Sequence, residues 1–161
     1  MLGGIQIDTK NFTLRTGSRT FDAASYLRAN GADSNLIQSF MKEKFSDFKS
    51  RSHLVNLAEI HEGNAIAVGD NKDIYSGLLT AQAADELLQI SGVYASFVIT
   101  KRQDGRVGIS ARSTGERNVQ RTMEALGGGG HLSNAATQIA NVTTEEAKQQ
   151  LLNIIAEQSE D

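Results

Sequence analysis

The spacing of apolar side chains changes several times along this chain, and each change marks an expected element. Gly4-Ile5-Gln6-Ile7-Asp8-Thr9 predicts a short buried strand that delivers a carboxylate at its C-terminal end, the edge where α/β sheets bind ligands. Phe21, Ala24 and Leu27 recur at helical spacing over 20–30, with Gly31 as the stop. Leu36, Ile37, Phe40, Met41, Phe45 and Phe48 form one stripe, opposed by Lys42, Glu43, Lys44 and Asp47, which predicts a helix over 34–48. A strand so close to the first residue finds no earlier partner in this sequence, so the chain reads as a piece of a longer protein.

Beyond residue 51 the pattern shifts toward strands. Segments 53–60 and 65–68 are expected to be extended around the hairpin signal Glu62-Gly63-Asn64. Leu79, Ala83, Leu87 and Ile90 mark a helix that ends at Gly92. Segments 94–100 and 106–111 flank Asp104-Gly105, a strong turn dipeptide. Val119, Met123 and Leu126 mark a helix that runs into four glycines. Thr143-Thr144-Glu145-Glu146 is a capping box for a last helix carrying Ala147, Leu151, Ile154 and Ile155. The order ββ-α-ββ-α-α predicts a compact α/β (α+β) fold, a mixed β-sheet with flanking helices.

Three clusters carry candidate chemistry. Gly127-Gly128-Gly129-Gly130-His131 precedes Leu132-Ser133-Asn134-Ala135-Ala136, read as a helix start. Glycines let backbone N–H groups approach an anion closely, and a helix start adds unpaired donors. The same run also suits the C-terminal end of the preceding helix. Ser110-Ala111-Arg112-Ser113 sets an arginine between hydroxyls at a strand end, where it can grip a phosphate, or simply pair with nearby Glu116. Asp8-Thr9 is followed by Arg15 and Arg19; a strand-end carboxylate suits a hard divalent cation, but also an N-cap or a turn.

Composition narrows the classes. The 161 residues are 39% hydrophobic and 22% charged, which fits one ordinary globular domain or one domain plus part of another. The chain has no cysteine, so disulfides and thiolate metal sites are excluded. The net charge of −3 gives no argument for duplex nucleic acid. Aromatic residues make up only 6%, too few for an interleaved single-strand-binding surface. No apolar run reaches membrane-spanning length, so a soluble fragment is expected.

Taken together, these clusters resemble one family. Asp8-Thr9-Lys10-Asn11-Phe12 resembles the last metal-site motif of the DHH phosphoesterases. Ser110-Ala111-Arg112-Ser113, and 127–131 with Asn134-Ala135-Ala136, resemble the substrate motifs of the DHH-associated C-terminal domain. The wording Arg15-Thr16-Gly17-Ser18-Arg19-Thr20-Phe21-Asp22-Ala23-Ala24, together with 127–138, is most similar to the GdpP-type cyclic-di-AMP phosphodiesterases. The resemblance implies 1–30 as the end of a DHH domain, 31–51 as a helical linker and 52–161 as the substrate-binding domain. It implies hydrolysis of cyclic di-AMP to pApA with two manganese ions. Asp8 would ligate metal. Arg112, Ser113, Gly128, Gly129, Gly130, His131 and Asn134 would bind substrate, with Arg15 and Arg19 either assisting or bracing the joint between domains. The parent protein would sit on the cytoplasmic face of the cell membrane.

The chain departs from that pattern in lacking any Asp-His-His tripeptide. One carboxylate cannot hold two manganese ions. The fragment alone is therefore expected to bind substrate and turn over little of it. Its implied partners are cyclic di-AMP or pApA, an upstream DHH domain and a possible second copy. Alternatives are a soluble relative degrading pApA or very short RNA, a nucleic-acid-binding module like that of alanyl-tRNA synthetases, and a dimerisation domain using the 36–48 stripe.

Overall fold

The computed structural model describes residues 1–9, 11–13 and 16–159, the side chain of Ser159 aside. Two compact units divide at Lys44/Phe45. The segment 31–51, expected as a linker, is shared between them.

In the first unit all elements are helices: α1 (Leu2–Asp8), α2 (Ser18–Ala29) and α3 (Ser34–Phe40). The strand expected over 4–9 is therefore helix. Ile5 N–H bonds Met1 O at 3.1 Å and Thr9 N–H bonds Ile5 O at 3.0 Å. A strand needs a neighbour for its backbone groups, and the described residues of this unit offer none; a helix satisfies them internally. Asp33 caps α3, its Oδ1 accepting from Asn35 N–H at 2.8 Å. Gly31, at φ +93°, follows the end of α2 as expected.

The second unit begins with α4 (Phe45–Asn56). The single helix expected over 34–48 is thus two helices, broken across the charged run Lys42-Glu43-Lys44. The stripe is largely exposed, Phe40 at 79% and Phe45 at 75%. Segment 53–60 was expected to be extended, but α4 runs on to Asn56 because Leu54 is a fully buried helical anchor.

Six strands follow: β1 (Glu59–His61), β2 (Asn64–Val68), β3 (Ala95–Lys101), β4 (Val107–Ser113), β5 (Gly129–His131) and β6 (Asn134–Ile139). Their order in the sheet is β1-β2-β3-β4-β6-β5. β2 and β3 pair in parallel, joined through α5 (Gly77–Leu87); the other neighbours are antiparallel. Both predicted turns form. Glu62 and Gly63 take φ of +50° and +78°, as a two-residue hairpin turn requires. In the second hairpin, Gly105 takes φ +83°.

The alternation of side chains splits the core in two. One face carries Ile66, Phe97, Ile99, Val107, Ile109, Ala111 and Ala135 beneath α6 (Val119–Ala125) and α7 (Thr144–Ser159), which contribute Val119, Met123, Ala147 and Leu151. The other carries Ala65, Ala67 and Val98 beneath α4 and α5, which contribute Leu54, Leu79, Ala83, Ala84 and Leu87. Three buried hydroxyls beneath α5 are paired: Ser96 Oγ donates to Ala84 O at 2.6 Å, and Thr80 and Thr100 share a bond of 2.8 Å. The capping box of α7 forms in both directions. Glu146 N–H donates to Thr143 Oγ1 at 3.2 Å, and Thr143 N–H donates to the Glu146 carboxylate at 2.7 Å.

Candidate nucleotide-binding face

On the α5 side, cover ends before the last strands. Along β6, Ala135 and Thr137 are buried, whereas Asn134, Ala136 and Gln138, which point the other way, are exposed. The face left open is set by register. Arg112 of β4 lies opposite Asn134 of β6, which lies opposite His131 of β5. Three polar side chains from three strands thus stand in one row, at about 5 Å per strand. The next row is Ser110, Ala136 and Gly129. It forms a flat floor of small residues beside the polar row.

Arg112 is held in place. Its Nε donates to Asp85 Oδ1 of α5 at 3.1 Å, and its Nη1 donates to Ala111 O at 3.0 Å; its side chain is 16% exposed. The acidic partner of Arg112 is therefore Asp85 and not Glu116. The strand alternation puts Arg112 on the α5 side, whereas Glu116 lines a cleft on the other face with Phe97 and Thr122. Ser113 is likewise turned away from Arg112 by the pleat. It is buried, and its Oγ accepts from Gly115 N–H at 3.0 Å and Arg117 N–H at 3.3 Å, fixing the turn after β4. Ser110 takes its place on the open face.

The glycine run does not open a helix. Gly127 N–H bonds Glu124 O at 3.0 Å and Gly128 N–H bonds Met123 O at 2.8 Å, closing α6 in a Schellman motif with Gly127 at φ +78°. The chain then forms the β5–β6 hairpin around Leu132-Ser133. Two of the glycines serve packing. A Cβ on Gly128 would collide with Ala136 O, and one on Gly130, at φ +149°, with Asn134 O. Gly129 has open space where a Cβ would stand, so it is the one glycine of Gly128, Gly129 and Gly130 whose bare backbone lies on the open face. His131 is exposed beside it.

The remaining candidates lie in the first unit. Asp8 is exposed at the last turn of α1, and Arg19 is exposed in the first turn of α2. Arg15 lies outside the described residues. Among the described residues no three His, Cys, Asp or Glu side chains gather to hold a metal ion. The donor set around Asp8 does not fit a pair of manganese ions, which needs several oxygen and imidazole ligands. Asp85 carries no signal in the sequence, and Ala136 stands there only as part of the Asn134-Ala135-Ala136 motif. Asp85 lies 27 positions from its partner, and only register places Ala136 beside Gly129.

A six-stranded mixed sheet of this order, with helices on both faces and an open strip carrying arginine, asparagine and histidine, defines an α/β domain. The DHHA1 domain model matches residues 63–161, and the chain belongs to that family. It is 60% identical over 156 residues to the cyclic-di-AMP phosphodiesterase PdeA of Listeria monocytogenes. It is 59% identical over 156 residues to the GdpP enzyme of Geobacillus thermodenitrificans, and 52% over 160 residues to that of Bacillus subtilis. These matches cover 96–98% of this chain, which spans about a quarter (24%) of each relative. The crystal structure of an exopolyphosphatase-related protein from Bacteroides fragilis shares the fold at TM-score 0.83 and 20% identity, covering 95% of this chain and 47% of that one.

Proposed function

We propose that this chain is the substrate-holding part of a cyclic-di-AMP phosphodiesterase, and that the strip of Arg112, Asn134 and His131 receives the nucleotide. The row across β4, β6 and β5 carries this reading: it gathers three phosphate- and base-binding groups on one open face, in a chain 52–60% identical to enzymes of that activity. Arg112, oriented through Nε by Asp85, offers its outer guanidinium edge to a phosphodiester oxygen. His131 donates to the same group or stacks on a base. Asn134 reads a base edge, and the floor of Ser110, Ala136 and Gly129 leaves room for a flat ring. Arg19 supports the joint with the DHH domain that the family implies.

The chain's own groups bind and orient; hydrolysis to pApA requires ligands that its described residues do not gather. The purified chain should therefore bind nucleotide and show little turnover, with or without manganese. No described helix is long and apolar enough to cross a membrane; the attachment of the whole protein to the cytoplasmic face belongs to the family resemblance.

Calorimetric titration of cyclic di-AMP and pApA tests the reading. Arg112→Ala with His131→Ala should abolish binding, and Arg112→Ala alone should weaken it about 10-fold or more, the worth of a charge-assisted bond. Binding untouched by the double substitution would overturn it. So would preferential binding of tRNA with a steep salt dependence.

A further inference from the structure

The same open face has a second arginine at its other end. Arg102 follows β3, and its side chain lies across two glycines. A Cβ on Gly108 would stand 2.9 Å from Arg102 Cδ, and one on Gly77 would stand 2.8 Å from Arg102 Nη1. The missing side chains of Gly77, which opens α5, and Gly108, on β4, thus form a cradle for this guanidinium. Gly108 shares the pleat with Ser110 and Arg112 and lies opposite Gln138. Arg102 therefore borders the floor about 14 Å along β4 from Arg112, four residues at strand rise.

The group is half-buried, yet it makes no side-chain hydrogen bond or ion pair among the described residues. Asp104, the carboxylate nearest in sequence, is engaged: Arg106 donates to its Oδ2 from Nε at 2.9 Å and from Nη2 at 2.6 Å. The Asp104 carboxyl also feels the Arg102 charge, but no hydrogen bond or ion pair among the described residues ties up the guanidinium, whose donors are left for an anion.

We propose that Arg102 is a second phosphate anchor, taking the second phosphoryl group of a dinucleotide whose first is held by Arg112. The inference rests on the strip being the nucleotide surface. It assigns the strip a ligand with two phosphoryl groups. A mononucleotide has one and uses a single arginine. A dinucleotide engages both, and the second contact adds to the first as an intramolecular event.

The test is a titration of AMP and pApA into the wild-type chain, Arg102→Ala, Gly77→Ala and Arg112→Ala. Arg102→Ala should weaken pApA about 10-fold and leave AMP within about 2-fold. Gly77→Ala keeps the charge but fills the cradle. Because only the flexible end of an arginine is displaced and alanine favours the helix, its melting temperature should not fall. It should nevertheless lose pApA affinity as Arg102→Ala does. Equal losses for AMP and pApA in Arg102→Ala, or unchanged pApA binding in either variant, would overturn the anchor. Loss in Arg112→Ala together with no loss in Arg102→Ala would sink this inference alone. Wild-type failure to bind either nucleotide, or binding indifferent to Arg112, would sink the reading of the strip and the anchor with it.

Discussion

The two faces of the β4–β6 ladder are built from the same strands and do opposite work. On one face, Ala111, Ala135 and Val107 lie under Met123 and Leu151 with almost no exposed surface. Gly128 and Gly130 bring backbone against backbone there. On the other, the alternate residues Asn134, Ala136 and Gln138 are exposed and Arg112 rests on Asp85. Buried apolar packing is concentrated on the first face, and the proposed nucleotide strip lies on the second. The pleat lets one strand serve both, because a one-residue step moves a side chain to the other side.

Substitutions that respect this division should move either stability or binding. The largest stability effect is expected from Met123→Ala or Leu151→Ala, both fully buried, at about 2–5 kcal/mol in a denaturant titration. Next comes Gly130→Ala. Its Cβ would collide with Asn134 O and with Ala135 Cα in a conformation that disfavours alanine. We expect a loss of about 1–3 kcal/mol from that overpacking.

Thr143→Ala should cost about 1 kcal/mol by removing the cap of α7. It should also make the acid limb of stability somewhat shallower, because the hydroxyl bond to Glu146 is lost while the larger backbone N–H contribution stays. The Thr143 N–H and hydroxyl hold the Glu146 carboxyl below its usual value in the folded state. The cap is therefore fully present above the ordinary carboxylate range and is lost as pH falls through the depressed value. A pH series of thermal melts on wild type and variant checks this; parallel acid limbs would contradict it.

On the open face the order reverses. Asp85→Ala should cost about 1 kcal/mol or less of stability, since the pair is partly exposed, yet weaken nucleotide binding about 10-fold by releasing Arg112. Asp85→Asn, which keeps an acceptor for Nε, should retain most of the affinity. The smallest stability change is expected from Ala136→Leu, within about 0.5 kcal/mol at an exposed site, together with a clear loss of binding as the floor is blocked. Large unfolding effects from these open-face changes would show that the division between the faces is wrong.

Local chemistry made much of the second unit legible. Glu62-Gly63, Asp104-Gly105, the Thr143–Glu146 box and the α5 apolar face each state their conformation within a few residues. Elements that depend on a partner were misread. Residues 4–9 have strand-like composition, but strand pairing is absent from the described first unit, and helix wins. Leu54 reads as part of an extended segment until α5 is there to receive it. The glycine run fits a helix start and a helix end equally well in sequence. The close approach of β6 to Gly128 and Gly130 decides for a Schellman end followed by a hairpin.

By itself, the sequence determined the first two hairpins, the last three helices, the mixed-sheet class and the candidate residues Arg112, Asn134 and His131, because turn dipeptides, caps and periodicity act over a few positions. Only the tertiary structure decided that those three form one row, that Ser113 is turned away from it, and that Asp85 and Arg102 border it. Register, pleat and the ending of helix cover join residues tens of positions apart, and no local pattern records which strand will lie beside which.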